Sequence, residues 1–448
     1  MLKILNEKLV VEALDRYLTR SFIEEKIEAC GAKEKKQKKL VTVLVVFLIL
    51  YACLFRQSNR REALKKLVEG YQIRGWRVSG KALATRSGIS KALKRVGTKV
   101  MKNCYEGLAA QQQPCEESFY KGLRLKAYDG SCLNLEDSQK NRAAYGKPST
   151  GQGESAWPQL RLVMEVDVGT RHPLKIAYGH YETSELALAE ELLGGVGPKE
   201  LILIDRYFGC FRTLERIQDQ GAEFLVRVKQ NQKIPVLKRL RDGSYLGLMR
   251  DSYTRKRILV RIIEYRLLDR GQEVFRFVTS LLDEKVYPAL ELVELYHRRW
   301  EIEISFDELK NHLWVRRRHQ PFFRSQTPQG VIQELYGLMM IYFVIRSLMQ
   351  DAAQKYDLDP RRLSFSNCVQ IIKRGVVRMQ AARIEILPEL YEDLLDEMAG
   401  TLLPPPDHRM NPRVVKKHHA RFPSKRRGDV GFRSKLLFIE TVQLIGHA

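Results

Sequence analysis

Acidic residues are in short supply in this chain: 53 Asp and Glu stand against 77 Lys and Arg over 448 residues, a formal net charge of +24. A surface carrying so broad a positive field attracts polyanions and speeds encounter with them, so nucleic acid is the leading partner and an anionic membrane surface the rival. The seven cysteines (30, 53, 104, 115, 132, 210 and 368) include no C-x-x-C pair. Neither a zinc site nor a disulfide framework is signalled, and a reducing cytoplasm fits. Long hydrophobic runs are missing too. The one transmembrane candidate, "LVTVLVVFLILYACLF" at 40–55, falls short of the ~20 residues that span hydrocarbon and reads as a core helix. The opening "MLKILNEKLVVEALDRYL" lacks the basic and apolar regions of a signal peptide, so no secretion is expected. What is present is ample for globular folding: 44% hydrophobic residues, in a length suited to roughly three domains of about 150 residues.

Residues 1–118 have apolar residues at helical spacing and no strand alternation, with the basic clusters "KEKKQKK" and "RQSNRREALKK" flanking the apolar run. Within them "KALATRSGISKALKRVG" (81–97) has the pattern of a helix-turn-helix, with Gly88 at the turn and Ser90 capping a basic second helix; an ordinary helical hairpin competes. From 123 the pattern changes. Strand-like "LRLKAYDGSCLNL", "PQLRLVMEVDV" and "PLKIAYGH" are followed by helical "SELALAEELLGGV", strand "KELILIDRYF", helix "CFRTLERIQDQ" and strand "AEFLVRVK". That order predicts a mixed α/β sheet with helices packed on it, interrupted at 230–285 by an inserted β-subdomain containing "RKRILVRIIEYRLL" and "EVFRFVTSLL". Residues 320–448 begin with apolar helices and end in "HRMNPRVVKKHHARFPSKRR", which has no acid.

The stretch "YHRRWEIEISFDELK" (296–310) sits in a helical pattern taken as one helix over 289–315. At about 100° per residue, Tyr296, Arg299 and Lys310 fall on the face of Glu303, bordering an apolar stripe of Leu295, Ile302, Phe306, Leu309 and Leu313. Glu301 and Glu308 point to the far side and are expected to be solvated. Asp307 shares the Glu303 face, so periodicity leaves it open as the important acid. A salt-bridged solvent face competes with any functional role.

Two further carboxylates weigh against the solvent-face alternative. Asp129 ends the alternating run "LRLKAYD", and Gly130 after it suggests a close backbone turn; Asp205 ends the apolar "ELILID". A charged residue continuing a buried strand is costly unless it is paired or bound to metal. Three such acids suit a hard cation, Mg²⁺ above all, and two ions would serve in-line displacement at phosphorus. Asp137 and Asp167 compete, though neither terminates an apolar run as cleanly.

The spacing Tyr296, two residues, Arg299, three residues, Glu303, six residues, Lys310 resembles the Y-(2)-R-(3)-E-(6)-K signature of DDE transposases of the insertion-sequence-four type, and "AYDGS" and "LIDRYF" are similar to that family's two aspartate motifs. The resemblance covers about residue 40 to the basic tail. It implies a ribonuclease-H-like catalytic core at 119–229 and 286–319, an inserted β-subdomain at 230–285, a DNA-end-binding helical domain at 1–118 and a helical region at 320–448 that pairs protomers. By the same resemblance Asp129, Asp205 and Glu303 are catalytic ligands of two Mg²⁺ or Mn²⁺ ions. Tyr296, Arg299 and Lys310 hold phosphates, with Arg227 and Arg206 as further DNA contacts. The partners implied are double-stranded DNA, in the form of terminal inverted repeats and target, and a second copy of the chain, with no membrane and a place beside the bacterial nucleoid. A tryptophan that stacks a flipped base in members of this group has no counterpart at 230–285, where Tyr245, Tyr253, Tyr265, Phe275 and Phe277 are the candidate substitutes. Trp300, inside the signature, is expected to pack. A nuclease without strand transfer and an inactive basic DNA-binding protein are the rivals.

Overall fold

Alternating apolar residues from Leu123 onward build the first strands of the fold, as the period of two requires. The computed structural model describes residues 16–445 apart from 35, 37, 39, 74–83, 151–152, 230–231, 252–253, 268–273, 314–320 and 405–436. The basic tail at 408–427 and Tyr253 lie outside the described residues. The chain divides into two units, one of Met1–Leu193 with Glu301–Leu403 and the other of Gly194–Trp300 with Pro404–Ala448.

In the first unit, β1 (Phe119–Tyr120) turns into β2 (Leu123–Asn134) through Lys121 and Gly122, both at positive φ. A small hairpin, β3 (Ser149–Thr150) and β4 (Gly153–Glu154), follows. Then β5 (Gln159–Asp167) pairs antiparallel with β2 on one side and with β6 (Pro173–His180) on the other. β2 does not end at Asp129: it runs on through Gly130 to Asn134. Gly130 is needed for room and not for a turn, because a Cβ there would lie 2.5 Å from the carboxyl carbon of Glu185.

The helical part of this unit is built around Pro328–Lys355, a 28-residue helix long and apolar enough to cross a membrane, whose apolar window is wholly buried inside the protein. This is longer than the 40–55 run that stood out in the sequence. That run forms Thr42–Leu54, all of it buried, packed on the long helix where Gly337 meets Ile49 and Cys53. Gln333 donates to the carbonyls of Leu93 and Gly97 at 2.7 and 2.9 Å, tying in a further helix, Arg86–Val96. The expected turn at Gly88 is absent. Thr85 caps that helix, its side chain accepting from Gly88 N at 3.1 Å, so Gly88 and Ser90 lie inside one continuous helix. The start of the expected motif, at 81–83, is outside the described residues.

In the second unit β7 (Glu200–Ile204) and β8 (Glu223–Arg227) are parallel, joined by helix Phe211–Asp219. The inserted strands follow: β9 (Val236–Arg239), β10 (Tyr245–Arg250), β11 (Arg257–Leu267) and β12 (Val274–Thr279) form an antiparallel run that joins β8 through β12, and β13 (Val442–Leu444) adds to β11. Along the chain, three antiparallel strands, a helix, a strand, a helix and a parallel strand give the ribonuclease-H-like order. Of the proposed stacking aromatics, Tyr245, Tyr265, Phe275 and Phe277 are all buried, with Tyr265 stacked on Phe275 at 5.2 Å. Core packing uses their faces, so none of these four presents one to a base.

Candidate active site

The segment after Pro288 is not one helix. It runs as α-helix Ala289–Leu295, a 3₁₀ turn Tyr296–Arg299, α-helix Trp300–Asp307 and a π-helical turn Glu308–Leu313. A tight turn before Glu303 and a wide one after it move the signature residues off a single wheel, and such π turns recur at functional sites.

In the first unit, Asp129 lies mid-strand in β2, half-buried, opposite Met164, with its Oδ1 accepting from Gly130 N at 2.8 Å. Glu303 is half-buried in Trp300–Asp307. Lys310, on the π turn, donates through Nζ to Ser131 Oγ, and its ammonium lies 5.3 Å from the Phe306 ring centre. Ser131 is two residues from Asp129 and on the same face of β2. The structure thus connects the last signature residue to the strand of the first aspartate.

Glu301 and Glu308 are not solvated. Glu308 is 3% exposed and Glu301 half-buried, and Arg171 grips both, Nε to Glu301 at 2.5 Å and Nη1 to Glu308 at 2.8 Å. The far side of this helix faces a polar seam where an open surface was expected. Asp307 is the exposed member, bonded to Asn311 and His312. Asp167 is fully buried and spent on Ser118, Gly169, Thr170 and Arg124, while Asp137 pairs with Arg142 and Lys147 near the surface.

In the second unit, Asp205 follows β7 and caps the 3₁₀ turn Arg206–Phe208, accepting from Arg206 N. Arg206 and Tyr207 are exposed. Tyr296 is buried with its ring 4.3 Å from Phe277, and its hydroxyl donates to Ile204 O at 3.0 Å, one residue before Asp205. Burial pushes its phenol up to about 12. Arg299 is buried, its guanidinium 5.8 Å from the Tyr296 ring and 5.6 Å from that of Trp300. Arg227 ends β8 with its guanidinium 4.6 Å over Phe275. Trp300 is 38% exposed and so does not pack as expected.

Among the described residues no three His, Cys, Asp or Glu side chains form a ready-made metal cluster. Carboxylate oxygens, the donor type expected of Asp129, Asp205 and Glu303, suit a hard divalent ion such as Mg²⁺ or Mn²⁺ that takes much of its shell from water and phosphate. Sequence reasoning missed Arg171; the turn-forming "DVGT" ahead of it was the available signal.

The family model described as transposase DDE domain matches residues 120–344, and the insertion element 4 transposase N-terminal model matches residues 8–106. The chain is 25% identical over 421 residues to transposase InsG for insertion sequence element IS4 of Escherichia coli (strain K12), covering 92% of this chain and 93% of that one. It is 22% identical over 354 residues to the probable transposase for insertion sequence element IS5377 of Geobacillus stearothermophilus, covering 73% and 88%. Among solved structures, the cryo-EM structure of a piggyBac transposase synaptic complex with hairpin DNA aligns with a TM-score of 0.43 at 11% identity, over 90% of this chain and 87% of that one.

Proposed function

The chain belongs to the IS4-type DDE transposases, and from that premise we propose that it cuts the ends of an insertion sequence and joins them to target DNA with Asp129, Asp205 and Glu303 as the catalytic carboxylates. The supporting observation is the Lys310–Ser131 bond, which sets the strand of Asp129 against the segment that carries Glu303. Divalent ions held by these carboxylates would activate the attacking oxygen and neutralise charge on the phosphate. Lys310, Arg227 and Arg206 grip the phosphates on either side of the scissile bond, where charge-assisted bonds fix the register of the DNA, while Arg299, buried against Tyr296 and Trp300, braces the signature segment. Tyr296 acts one step back, holding the end of the strand from which Asp205 projects.

The helical N-terminal region reads the element ends, in keeping with its match to the insertion element 4 N-terminal family. Lys and Arg supply affinity there, and a few base contacts supply specificity. The C-terminal helices pair two protomers so that both ends are held together.

The test incubates the full-length protein with duplexes bearing the inverted repeats that flank its gene, in Mg²⁺ or Mn²⁺, and follows nicked and joined products. Asp129→Asn, Asp205→Asn and Glu303→Gln should each abolish both products while leaving binding in EDTA intact. Cleavage by all three variants at the parent rate would reject the assignment, and nicking without joined products would favour the plain nuclease.

A further inference from the structure

We infer that Arg171 is a positioning residue, setting the rotation of the helical segment that carries Glu303 and Lys310 without touching DNA; this rests on the assignment of Glu303 proposed above. Arg171 sits in the turn between β5 and β6, at a φ of +59° that a residue with a Cβ rarely adopts. Such a conformation persists where its surroundings over-determine it.

Here they do. Asp167 Oδ1 accepts from Ser118 Oγ at 2.6 Å and from the backbone N of Gly169 and Thr170 at 3.1 and 3.0 Å, while Oδ2 takes Arg124 Nε at 3.0 Å. Arg171 N closes the turn on Asp167 O at 2.8 Å. A Cβ on Gly169 would lie 2.3 Å from Ser118 N, so only glycine fits between. Asp167, a rival for the catalytic role in the sequence, is thereby consumed in building the turn that presents Arg171.

From that turn the guanidinium bridges Glu301 and Glu308, which bracket Glu303. Glu308 Oε2 also accepts from Tyr342 at 2.7 Å, and its Oε1 lies 3.5 Å from Arg346. Arg346 Nε returns to Thr170 O at 2.9 Å, closing the circuit on the same turn. Two carboxylates and two guanidiniums balance in charge. A buried network of this kind adds little stability over apolar packing, and its value lies in the single geometry it permits. Glu301 lies about 160° round the helix from Glu303, and Glu308 opens the π turn that follows, so a grip on both ends of this stretch fixes the direction in which Glu303 points. Arg171 reaches the two acids through separate nitrogens of one rigid plane, which fixes where they sit relative to each other; a lysine ammonium is a single point charge on a flexible stem and does not.

The experiment compares full-length wild type, Arg171→Lys, Glu301→Gln and Glu303→Gln. It measures end-duplex binding in EDTA, Mn²⁺ binding by calorimetry with the metal alone, thermal melting and single-turnover cleavage at saturating Mn²⁺. Arg171→Lys should bind DNA within about twofold of wild type, bind Mn²⁺ more weakly and cleave on the order of 100-fold more slowly at a temperature where it is folded. Glu301→Gln, which keeps the Arg171–Glu308 pair, should show a smaller loss of the same kind, and it carries the test if Arg171→Lys fails to fold. Wild-type cleavage and Mn²⁺ binding in a folded Arg171→Lys, with Glu303→Gln dead, would overturn the positioning role alone. Cleavage by Glu303→Gln at the wild-type rate would overturn the active-site assignment and this inference with it.

Discussion

The hydroxyl of Tyr296 donates to the carbonyl of Ile204 at 3.0 Å, tying the start of the signature segment to the end of the strand that carries Asp205. Tyr296→Phe keeps the ring on Phe277 and removes only this tether. Leaving a buried carbonyl without its donor costs about 1–3 kcal/mol. The expected outcome is a lower denaturation midpoint and slower cleavage with end binding unchanged; weaker binding would instead mark a direct phosphate contact.

The same group gives an alkaline signature. Below pH 10, the ordinary value, the phenol is protonated whether the chain is folded or not, and its contribution is complete. Between 10 and about 12 the unfolded chain loses a proton that the folded chain keeps. Stability therefore falls as pH rises through that window, by roughly 2–3 kcal/mol for this residue. Urea denaturation at pH 9 and pH 11 should show a smaller drop in Tyr296→Phe than in wild type.

Two aspartates with similar sequence surroundings should separate cleanly. Asp129→Asn should melt like the parent and fail to cleave. Asp167→Asn breaks a buried arrangement with Arg124 and Ser118 and should lose about 3–5 kcal/mol, seen as a fall in melting temperature of several degrees.

Gly337→Ala tests the helical core. Its Cβ would sit 2.8 Å from Ile49 Cγ2 and 3.0 Å from Cys53 Sγ. Overpacking of this kind costs about 1–3 kcal/mol, and Cys53→Ala in the same chain should recover part of it. Denaturation midpoints of the two single variants and the double variant measure the coupling.

Binding of an element-end duplex should weaken steeply with salt, as counterion release demands. Arg206→Ala and Arg227→Ala should each reduce the slope of log K against log salt by about one, measured by fluorescence anisotropy over a KCl series.

Much of this was legible from alternation and period. β2, β5, β6, β7, β8, β11 and β12 stand where apolar residues alternate or run together, and the buried helix Thr42–Leu54 was read from its short apolar run. The aspartate and Y-R-E-K motifs were legible as residue types at fixed spacing. The break of 289–313 into α, 3₁₀ and π turns was not, because a wheel assumes one period throughout. Glu301 and Glu308 were placed on the correct side and given the wrong surroundings, since their partner Arg171 lies 130 and 137 residues away. Gly88 and Gly130 were each read as turns; at Gly130 a close side-chain approach is what requires glycine, which sequence alone does not separate from a bend.

The sheathing of Pro328–Lys355 by Thr42–Leu54 also bears on synthesis. The shorter helix is apolar on every side and leaves the ribosome roughly 270 residues ahead of its cover, a wait on the order of 15–50 s at 5–20 residues per second. Over that interval the face that packs on the long helix has no cover yet translated, while Arg20–Ala29, Arg60–Ile73 and Arg86–Val96 reach the segment's other sides early. Yield of soluble protein should therefore depend on slow expression at low temperature and on chaperones that hold emerging chains.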